Sequence, residues 1–450
     1  MHTTDQSVPF IRRVKTFGHN MICGLLEAQV HQLRAKHHFQ IIAVVGSVGK
    51  TGTKMAVARM LSVRRQVRYQ EGNNNERRTV PLIIFGHQPR HLWDIVAWAK
   101  ILYSNWQQIR GPFPYDVVVV ELGTDGPGQI GQFAYLQPDL TIITSIAAEH
   151  MEFFGTLDAV AAEELSIVPF SKSLLINIDD TPEAYIKTLV YAGYGVGQGA
   201  QYRLTGRSQK TDLSQNVAMT LLGNPHPLVT DVRLLGVQGA KMALVAAAVA
   251  RMYGLDGAAI KTGLAAQAPL PGRMQPLKGV HVSLLIDDTY NASPTAVLAA
   301  LQTLYSVGAP QRVAILGSMN ELGAYTKQAH QRVGNFCAPH RLDFVVTIGQ
   351  DAQEHLAPAA QKKGCQVASF ASPYAAGAFV KKLLRPGAVV LGKGSQNGVF
   401  AEEAIKQLLQ DEADSAKLVR QSPSWLKIKR QQFMEGASRR RSARNRPSPA

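Results

Sequence analysis

The stretch Ile41 to Thr53, IIAVVGSVGKTGT, restricts the fold of this chain more than any other. An apolar, β-branched run ends in a glycine-rich turn, and Lys50 and Thr51 lead into what reads as a helix over Lys54 to Leu61. Gly46 and Gly49 let the backbone turn sharply and, with Ser47 and Gly52 in the same loop, bring N–H groups close to phosphate oxygens. Lys50 supplies a point charge, and the Thr51 hydroxyl can ligate Mg²⁺. The spacing is G-x-x-G-K-T, with Val44 where the first glycine of the longer phosphate-loop pattern would stand. A turn that needed glycine only for tight packing would explain neither the Lys-Thr pair nor its place after a buried strand.

The rest of the chain reads as α/β. Asp116 to Glu121 (DVVVVE) and Leu140 to Ser145 (LTIITS) are continuous apolar runs of the kind that form buried parallel strands. The carboxyl ends of such strands point functional groups into a crevice, so Glu121 and His150 are candidates for a Mg²⁺ shell beside the phosphate loop. A short strand is expected around Leu82 to Phe85. One helix is expected before Gln40, with Val14, Phe17, Met21 and Leu25 as its apolar stripe. Another spans His91 to Gln107, with Leu92, Ile95, Ala99, Leu102 and Trp106 as a stripe and Trp93 and Trp98 off it; core packing and a docking face are both open. From Pro271 the strands SLLID, RVAILG, FVVTIG and AVVLG alternate with helical stretches, which implies a second parallel sheet and a cleft between the two.

At 450 residues the chain holds about two or three domains with ample core. It divides into a helical lead-in (1–39), a phosphate-loop domain (40–270), a Rossmann-like α/β domain (271–412) and a basic, disordered tail (413–450). Apolar residues make up 46% and charged residues 18%. With no apolar run long enough to cross a bilayer and no signal-peptide core near Met1, a cytoplasmic location is expected. The three scattered cysteines suggest neither a disulfide framework nor a zinc site. Of the net charge of +16, nine units lie in Ala416 to Ala450, where ten Lys or Arg face one acid. Such a tail can hold anionic lipid or nucleic acid, with a solvated terminus as the simpler reading and nucleic acid the least favoured partner.

In order along the chain, GSVGKTGTK, ELGTDGPGQI, TSIAAEHMEFFGTLDAVA, PGRMQ, IDDTYNASP, LGSMNELG and KGS together resemble the Mur ligase family. The likeness is greatest to the branch that joins D-alanyl-D-alanine to a UDP-linked muramoyl tripeptide, whose asparagine-rich loop is matched by GNNNERRTVP. What the resemblance implies is an ATP- and Mg²⁺-dependent, amide-forming ligase, and a monomer is expected. Such an enzyme phosphorylates a small-molecule or lipid-linked carboxylate to an acyl phosphate that an amine then attacks. On this likeness Thr51 and Glu121 match a first Mg²⁺ site and His150 a ligand of a second. Arg273 matches an arginine reaching the nucleotide across the cleft, and Asp288, Tyr290 and Asn291 a segment lying against nucleotide and substrate. Lys393 and Ser395 match residues near the incoming substrate, and Asn73 and Asn75 fall in the asparagine-rich loop.

The departures are specific. Glu164, with Glu163 beside it, stands where the family carries a carbamylated lysine; it either supplies that carboxylate directly or is an ordinary helix residue. The family's G-x-H-N-x-x-N helix start appears as Gly236 to Met242, with Gln238 and Met242 interrupting its adenine-side pattern, Ser318 replaces an aspartate and Gln396 an arginine. Only about forty residues precede the phosphate loop, too few for the branch's uridine-binding domain. The alternatives are therefore a ligase for a different carboxylate, as in lipid-linked precursor amidation or folylpolyglutamate synthesis, and a nucleotide-binding scaffold without chemistry.

Overall fold

The computed structural model describes residues 10–210 and 214–435. Among these, nine strands form one sheet and six a second. The first sheet contains β1 (Gln40–Val45), β2 (Val67–Arg68), β3 (Val117–Glu121), β4 (Leu140–Ile143), β5 (Leu174–Asn177), β6 (Ala192–Gly195), β7 (Tyr202–Gln209), β8 (Gln215–Thr220) and β9 (Leu228–Val232). Their order is β2-β3-β1-β4-β5-β6-β7-β8-β9, parallel as far as β7 and antiparallel from there. The second sheet contains β10 (Gln275–Lys278), β11 (Leu284–Asp288), β12 (Arg312–Gly317), β13 (Phe344–Ile348), β14 (Val367–Phe370) and β15 (Val389–Lys393). It runs β10-β11-β15-β12-β13-β14, parallel apart from the β10 edge.

The central strands are buried on both faces, which is why they read as uninterrupted valine and isoleucine. On one face of the first sheet Ile42, Val44, Val117 and Val119 pack with the alanine-rich helix Gly236–Met252. On the other, Ile41, Ala43, Val118 and Val120 pack with α1 (Phe10–Lys36) and with Thr79–Phe85. Switch points at the carboxyl ends of β1, β3, β4 and β5 open a crevice in the first sheet, and those of β11 and β15 open one in the second.

Three expectations change. Leu82 to Phe85 belong to a helix, and it runs Thr79–Phe85, fully buried and closed by Gly86 in the left-handed region (φ 80°). Four apolar residues cannot distinguish a buried strand from a buried helical turn; the glycine that ends the helix was the available signal. After the phosphate-loop helix α2 (Lys50–Leu61) and α3 (Thr79–Phe85) comes α4 (Ile95–Arg110), and on α1 and α4 most of the expected stripe positions face solvent. Ile22, Leu26, Val30 and Leu33 of α1 and Trp98, Ile101 and Ile109 of α4 are buried, whereas Phe17 is 72% and Ile95 77% exposed. Both helices carry apolar residues on two faces, and contact with the sheet and with each other selects one; Val14 lies outside the residues whose side chains are described. Finally, the chain stays folded beyond 413: a helix at Pro423–Arg430 packs through a fully buried Lys429. The residues from 436 on lie outside those described. No helix among the described residues is long and apolar enough to cross a membrane.

Candidate active site

The phosphate loop is tied down on the side away from the crevice. Gly46 (φ 119°) approaches β4's end so closely that a Cβ there would lie 2.5 Å from Thr144 Oγ1 and 2.8 Å from Ser145 N. Ser47 N–H donates to Ser145 O (2.9 Å), and Val48 N–H to Ser145 Oγ (2.9 Å). Gly49, at φ 91°, turns the chain into α2. Lys50 folds back so that Nζ donates to Gly46 O at 2.6 Å. Desolvation opposes its charge, but the carboxylates of Glu164, Glu149 and Glu121 outweigh it and hold the Lys50 pKa above the ordinary value. The loop's own carbonyls and nearby acids thus keep a cation at the place where phosphate would be met.

Thr51, in the first turn of α2, donates from Oγ1 to Glu121 Oε1 (3.2 Å) at the end of β3. Glu121 is 3% exposed and also accepts from Asn75 Nδ2 (3.2 Å). Its Oε2 has no hydrogen-bond partner among the described residues, with Lys54 Nζ standing 3.4 Å away. Desolvation lowers the Lys54 pKa, and Glu121 only partly offsets it. Lys54 was not anticipated from the sequence; its place one turn beyond Lys50 on the same helix was the available signal.

The second domain closes over this group. Arg273 donates from Nη2 to Thr51 Oγ1 (3.1 Å), and its guanidinium carbon lies 4.1 Å from the centre of the Tyr290 ring. Burial raises the Tyr290 pKa above its ordinary value, with Arg273 and the nearby Asn73 side chain acting against it. Asp288 pairs with Lys393 Nζ through Oδ2 (2.6 Å), and Lys393 also donates to Asn291 O (2.9 Å). A cavity of about 1710 Å³ lies between the domains. Ser47, Gly49, Lys50, Thr51, Gly52, Asn73, Asn75, Glu121, His150, Arg273, Asp288, Tyr290, Asn291 and Lys393 all line it.

Three expected residues lie elsewhere. Gly46 sits behind the loop, where its N–H donates to Glu164 Oε2 (2.7 Å). Glu164 is buried there, and desolvation raises its pKa against the pull of Lys50 and Gly46. Ser395 Oγ accepts from Asn320 N–H (2.9 Å) and borders a separate small hollow beside His150 and Gln396. Glu163, adjacent to Glu164, accepts from Gly128, Gln129 and Ile130 N–H at 2.6, 2.8 and 2.6 Å, so its task is to cap the turn at Ile130–Leu136. Ser318, the position of the replaced aspartate, accepts from Ala352 N–H at 3.1 Å. Lys241, in the interrupted pattern, pairs with Asp179 (3.0 Å) and Asp180 (2.8 Å) on the cavity wall.

His150, itself at φ 52°, brings Nδ1 within 2.6 Å of Glu321 Oε2 on the opposite domain, off the axis of a normal hydrogen bond. Glu152 N–H donates to Glu321 O (3.1 Å) at the same crossing. Desolvation works against a protonated His150, but Glu321 and Glu149 raise its pKa overall.

The Thr51 hydroxyl and the Glu121 carboxylate, whose Oε2 meets Lys54 only as an ion pair at 3.4 Å, are oxygen donors of the kind that suits a hard divalent cation. Among the described residues no three His, Cys, Asp or Glu side chains converge to hold an ion by themselves, so such a cation would need further ligands from a bound phosphate and water.

The Mur ligase middle domain family model matches residues 104–250, and the Mur ligase, glutamate ligase domain model matches 272–396. The chain is 29% identical over 386 residues to the UDP-N-acetylmuramoyl-tripeptide–D-alanyl-D-alanine ligase of Synechocystis, covering 85% of this chain and 77% of that protein. To the enzyme of the same name from Escherichia coli it is 28% identical over 386 residues, covering 83% and 77%. Its fold matches MurF from Acinetobacter baumannii with a TM-score of 0.70 at 23% identity, covering 86% of this chain and 80% of that one. It matches the MurF ligase of Thermotoga maritima in complex with ADP with a TM-score of 0.69 at 21% identity, covering 86% and 83%. The two family models flank the cavity from either side, and by these domains and this geometry the chain belongs to the Mur ligase family.

Proposed function

We propose that the chain is an ATP-dependent, ADP-forming carboxylate–amine ligase acting on a peptidoglycan precursor; the relatives are named as ligases of a UDP-N-acetylmuramoyl tripeptide and D-alanyl-D-alanine. The observation that carries this reading is the meeting of Lys50, Thr51 and Glu121 with Arg273, Tyr290 and Lys393 across one cavity. Lys50 and Arg273 meet at the phosphate loop and helix start, while Lys393, held by Asp288, faces the same cavity from the second domain, so the cations extend beyond what would hold a nucleotide's phosphates alone.

In the reaction a substrate carboxylate oxygen bonds to the γ-phosphorus of ATP while the bond to ADP breaks. The amine nitrogen then bonds to the carbonyl carbon, phosphate leaves, and the amine loses its proton. The first step brings two anions together, so its barrier falls with every positive group fixed in place beforehand. The loop N–H groups and Lys50 hold the phosphates, and Arg273 faces them from the other side. Thr51 and Glu121 would hold Mg²⁺, which when bound supplies charge neutralisation at the transferring phosphoryl. Lys393, anchored by Asp288, places a further cation on the part of the cavity wall that the second domain contributes.

Phosphate release from ATP tests this across UDP-linked, lipid-linked and folate-type carboxylates, with D-alanyl-D-alanine, single amino acids and ammonia as amines. Turnover on a muramoyl-peptide acceptor supports the reading; turnover on the folate acceptor alone replaces the substrate, and none on any acceptor favours the scaffold.

We infer further that the enzyme makes peripheral contact with an anionic membrane surface. α1 and α4 lie side by side, joined by Gln29 Nε2 to Leu102 O (2.8 Å) and Lys36 Nζ to Arg110 O (3.0 Å). Their outer sides expose Phe17, Met21, Leu25, Ile95, Val96, Tyr103 and Trp106. Arg110 stacks on Trp106 at 4.0 Å, Arg90 and Lys100 are exposed nearby, and the acid of this segment, Asp94, is occupied in capping α4. Aromatic and basic groups in that mixture suit an interfacial lipid layer.

A further inference from the structure

Beyond the residues matched by the family models, the chain returns to the cavity from behind. After β15 come the helices Glu402–Lys406, Glu412–Lys417 and Pro423–Arg430, and between the last two Arg420 takes a left-handed conformation (φ 56°). That turn points its guanidinium at the loop between β11 and the helix Pro294–Ser306, the loop that carries Tyr290 and Asn291. Nη2 donates to Thr289 O (2.6 Å) and Nη1 to Tyr290 O (3.0 Å). The other side of the fork is held by Glu402, with Nε to Oε1 at 2.8 Å and Nη2 to Oε2 at 2.7 Å.

The anchor is itself anchored. Lys429, 0% exposed, pairs with Glu402 Oε1 (2.8 Å) and Glu403 Oε1 (2.6 Å) and donates to Arg420 O (2.9 Å). Two cations and two carboxylates thus close a buried, charge-balanced cluster in which the guanidinium is satisfied on both sides. Val419 adds a steric wall, since a Cβ on Gly272 would lie 2.9 Å from its Cγ1 and 3.0 Å from Tyr290 N. Tyr290 N–H in turn donates to Gly272 O (3.0 Å), one residue before Arg273.

We propose that Arg420 is a positioning residue for the nucleotide site, and that the segment from Glu412 to Arg430 is a strap that completes that site. Arg420 fixes the carbonyls of Thr289 and Tyr290. The fixed backbone sets the Tyr290 ring against Arg273, and Arg273 is thereby aimed at Thr51 in the first domain. Only a planar fork with several donors can bridge a carboxylate and two carbonyls at once, so lysine would keep the charge and lose the geometry. The inference rests on the nucleotide reading of the cavity given above.

The test compares Arg420→Met, Arg420→Lys and Glu403→Gln in the full chain. Glu403→Gln weakens the buried cluster through Lys429 but touches none of the bonds Arg420 makes, and so isolates stability from positioning. Amide hydrogen exchange over Thr289 to Asn291 and ADP affinity by calorimetry are measured for each, beside thermal unfolding. Arg420→Met should speed exchange in that loop and weaken ADP by about tenfold, with Arg420→Lys intermediate and Glu403→Gln within about twofold of wild type. Equal effects of Arg420→Met and Glu403→Gln on both readouts, or unchanged loop exchange in Arg420→Met, would overturn the proposal. Absence of ADP binding by the wild type would instead remove the nucleotide reading, and loop exchange would still decide whether Arg420 positions the segment. If Arg420→Met does not fold, the same comparison is made between Arg420→Lys and Glu403→Gln.

Discussion

Arg273 reaches from the second domain to within 3.1 Å of Thr51 Oγ1, so the hydroxyl that opens α2 is shared between a carboxylate of its own domain and a guanidinium of the other. The contact couples domain closure to the phosphate loop. Arg273→Lys loses both this bond and the stack on Tyr290, and ADP affinity should fall about tenfold with little change in thermal stability. Calorimetric titration with ADP checks this; an unaltered affinity would detach Arg273 from the nucleotide.

Lys50→Ala should reduce ATP turnover at least about hundredfold, or about 2.7 kcal/mol of barrier, while the fold is kept. Its ammonium donates to the loop carbonyls of Gly46 and Ser47, and no core packing depends on it. Activity within about tenfold of wild type would show that the loop is not catalytic.

The neighbouring acids Glu163 and Glu164 should separate by measurement. Glu163→Ala strands three backbone donors and should cost about 2–3 kcal/mol in denaturant unfolding. Glu164→Gln still accepts from Gly46 N–H but removes a negative charge beside Lys50, so it should raise the Mg²⁺ needed for half-maximal activity with little loss of stability. Wild-type activity should not respond to added bicarbonate, because a glutamate needs no carbamylation. Small, equal effects of both substitutions on Mg²⁺ dependence, or a bicarbonate response, would count against this role for Glu164.

Asp287, fully buried on β11, has its carboxyl pushed up to about 6 by desolvation, against two hydrogen bonds from Thr289; Oδ2 has no partner among the described residues. Its folded pKa lies above the unfolded value of 3.8, so the stability it contributes is fully present below that value and is lost as pH rises through about 6. Urea unfolding of wild type and Asp287→Asn across this window should show the balance moving toward the variant by up to about 3 kcal/mol as pH increases. A difference independent of pH would mean that the carboxyl does not titrate there.

Membrane contact predicts co-sedimentation with vesicles containing anionic phosphatidylglycerol, weakened by salt, and little with phosphatidylcholine alone. The double substitution Ile95→Asp and Trp106→Ser should abolish it while leaving turnover of a soluble acceptor unchanged. Truncation after Glu435 separates the contribution of the basic end. Wild-type protein that binds neither vesicle, or that self-associates through this face, would rule out the lipid reading.

The sequence by itself determined the architecture that carries the chemistry. Glycines at 46 and 49 are required by positive φ, and runs such as Val117–Val120, β-branched at every position, favour strands covered on both faces, so β1, β3, β4 and the loop between β1 and α2 could be read directly. Lys50, Thr51 and Glu121 were legible because local geometry places them at the end of strands and the start of a helix. Tertiary structure decided what depends on residues far apart in the chain. Which face of α1 and α4 is buried was settled by the sheet beneath them, since both faces are apolar. Thr79–Phe85 became a helix because Gly86 and the surrounding core outweighed a four-residue pattern. Glu163 and Glu164, adjacent in sequence, received unrelated partners because successive side chains on a helix point about 100° apart. Arg420 and Lys429 looked like part of a solvated tail, because the carboxylates that hold them in the interior, Glu402 and Glu403, are separated from them by 18 and 26 residues. Charge alone gives no sign of burial; only the folded chain brings an opposite charge to meet it.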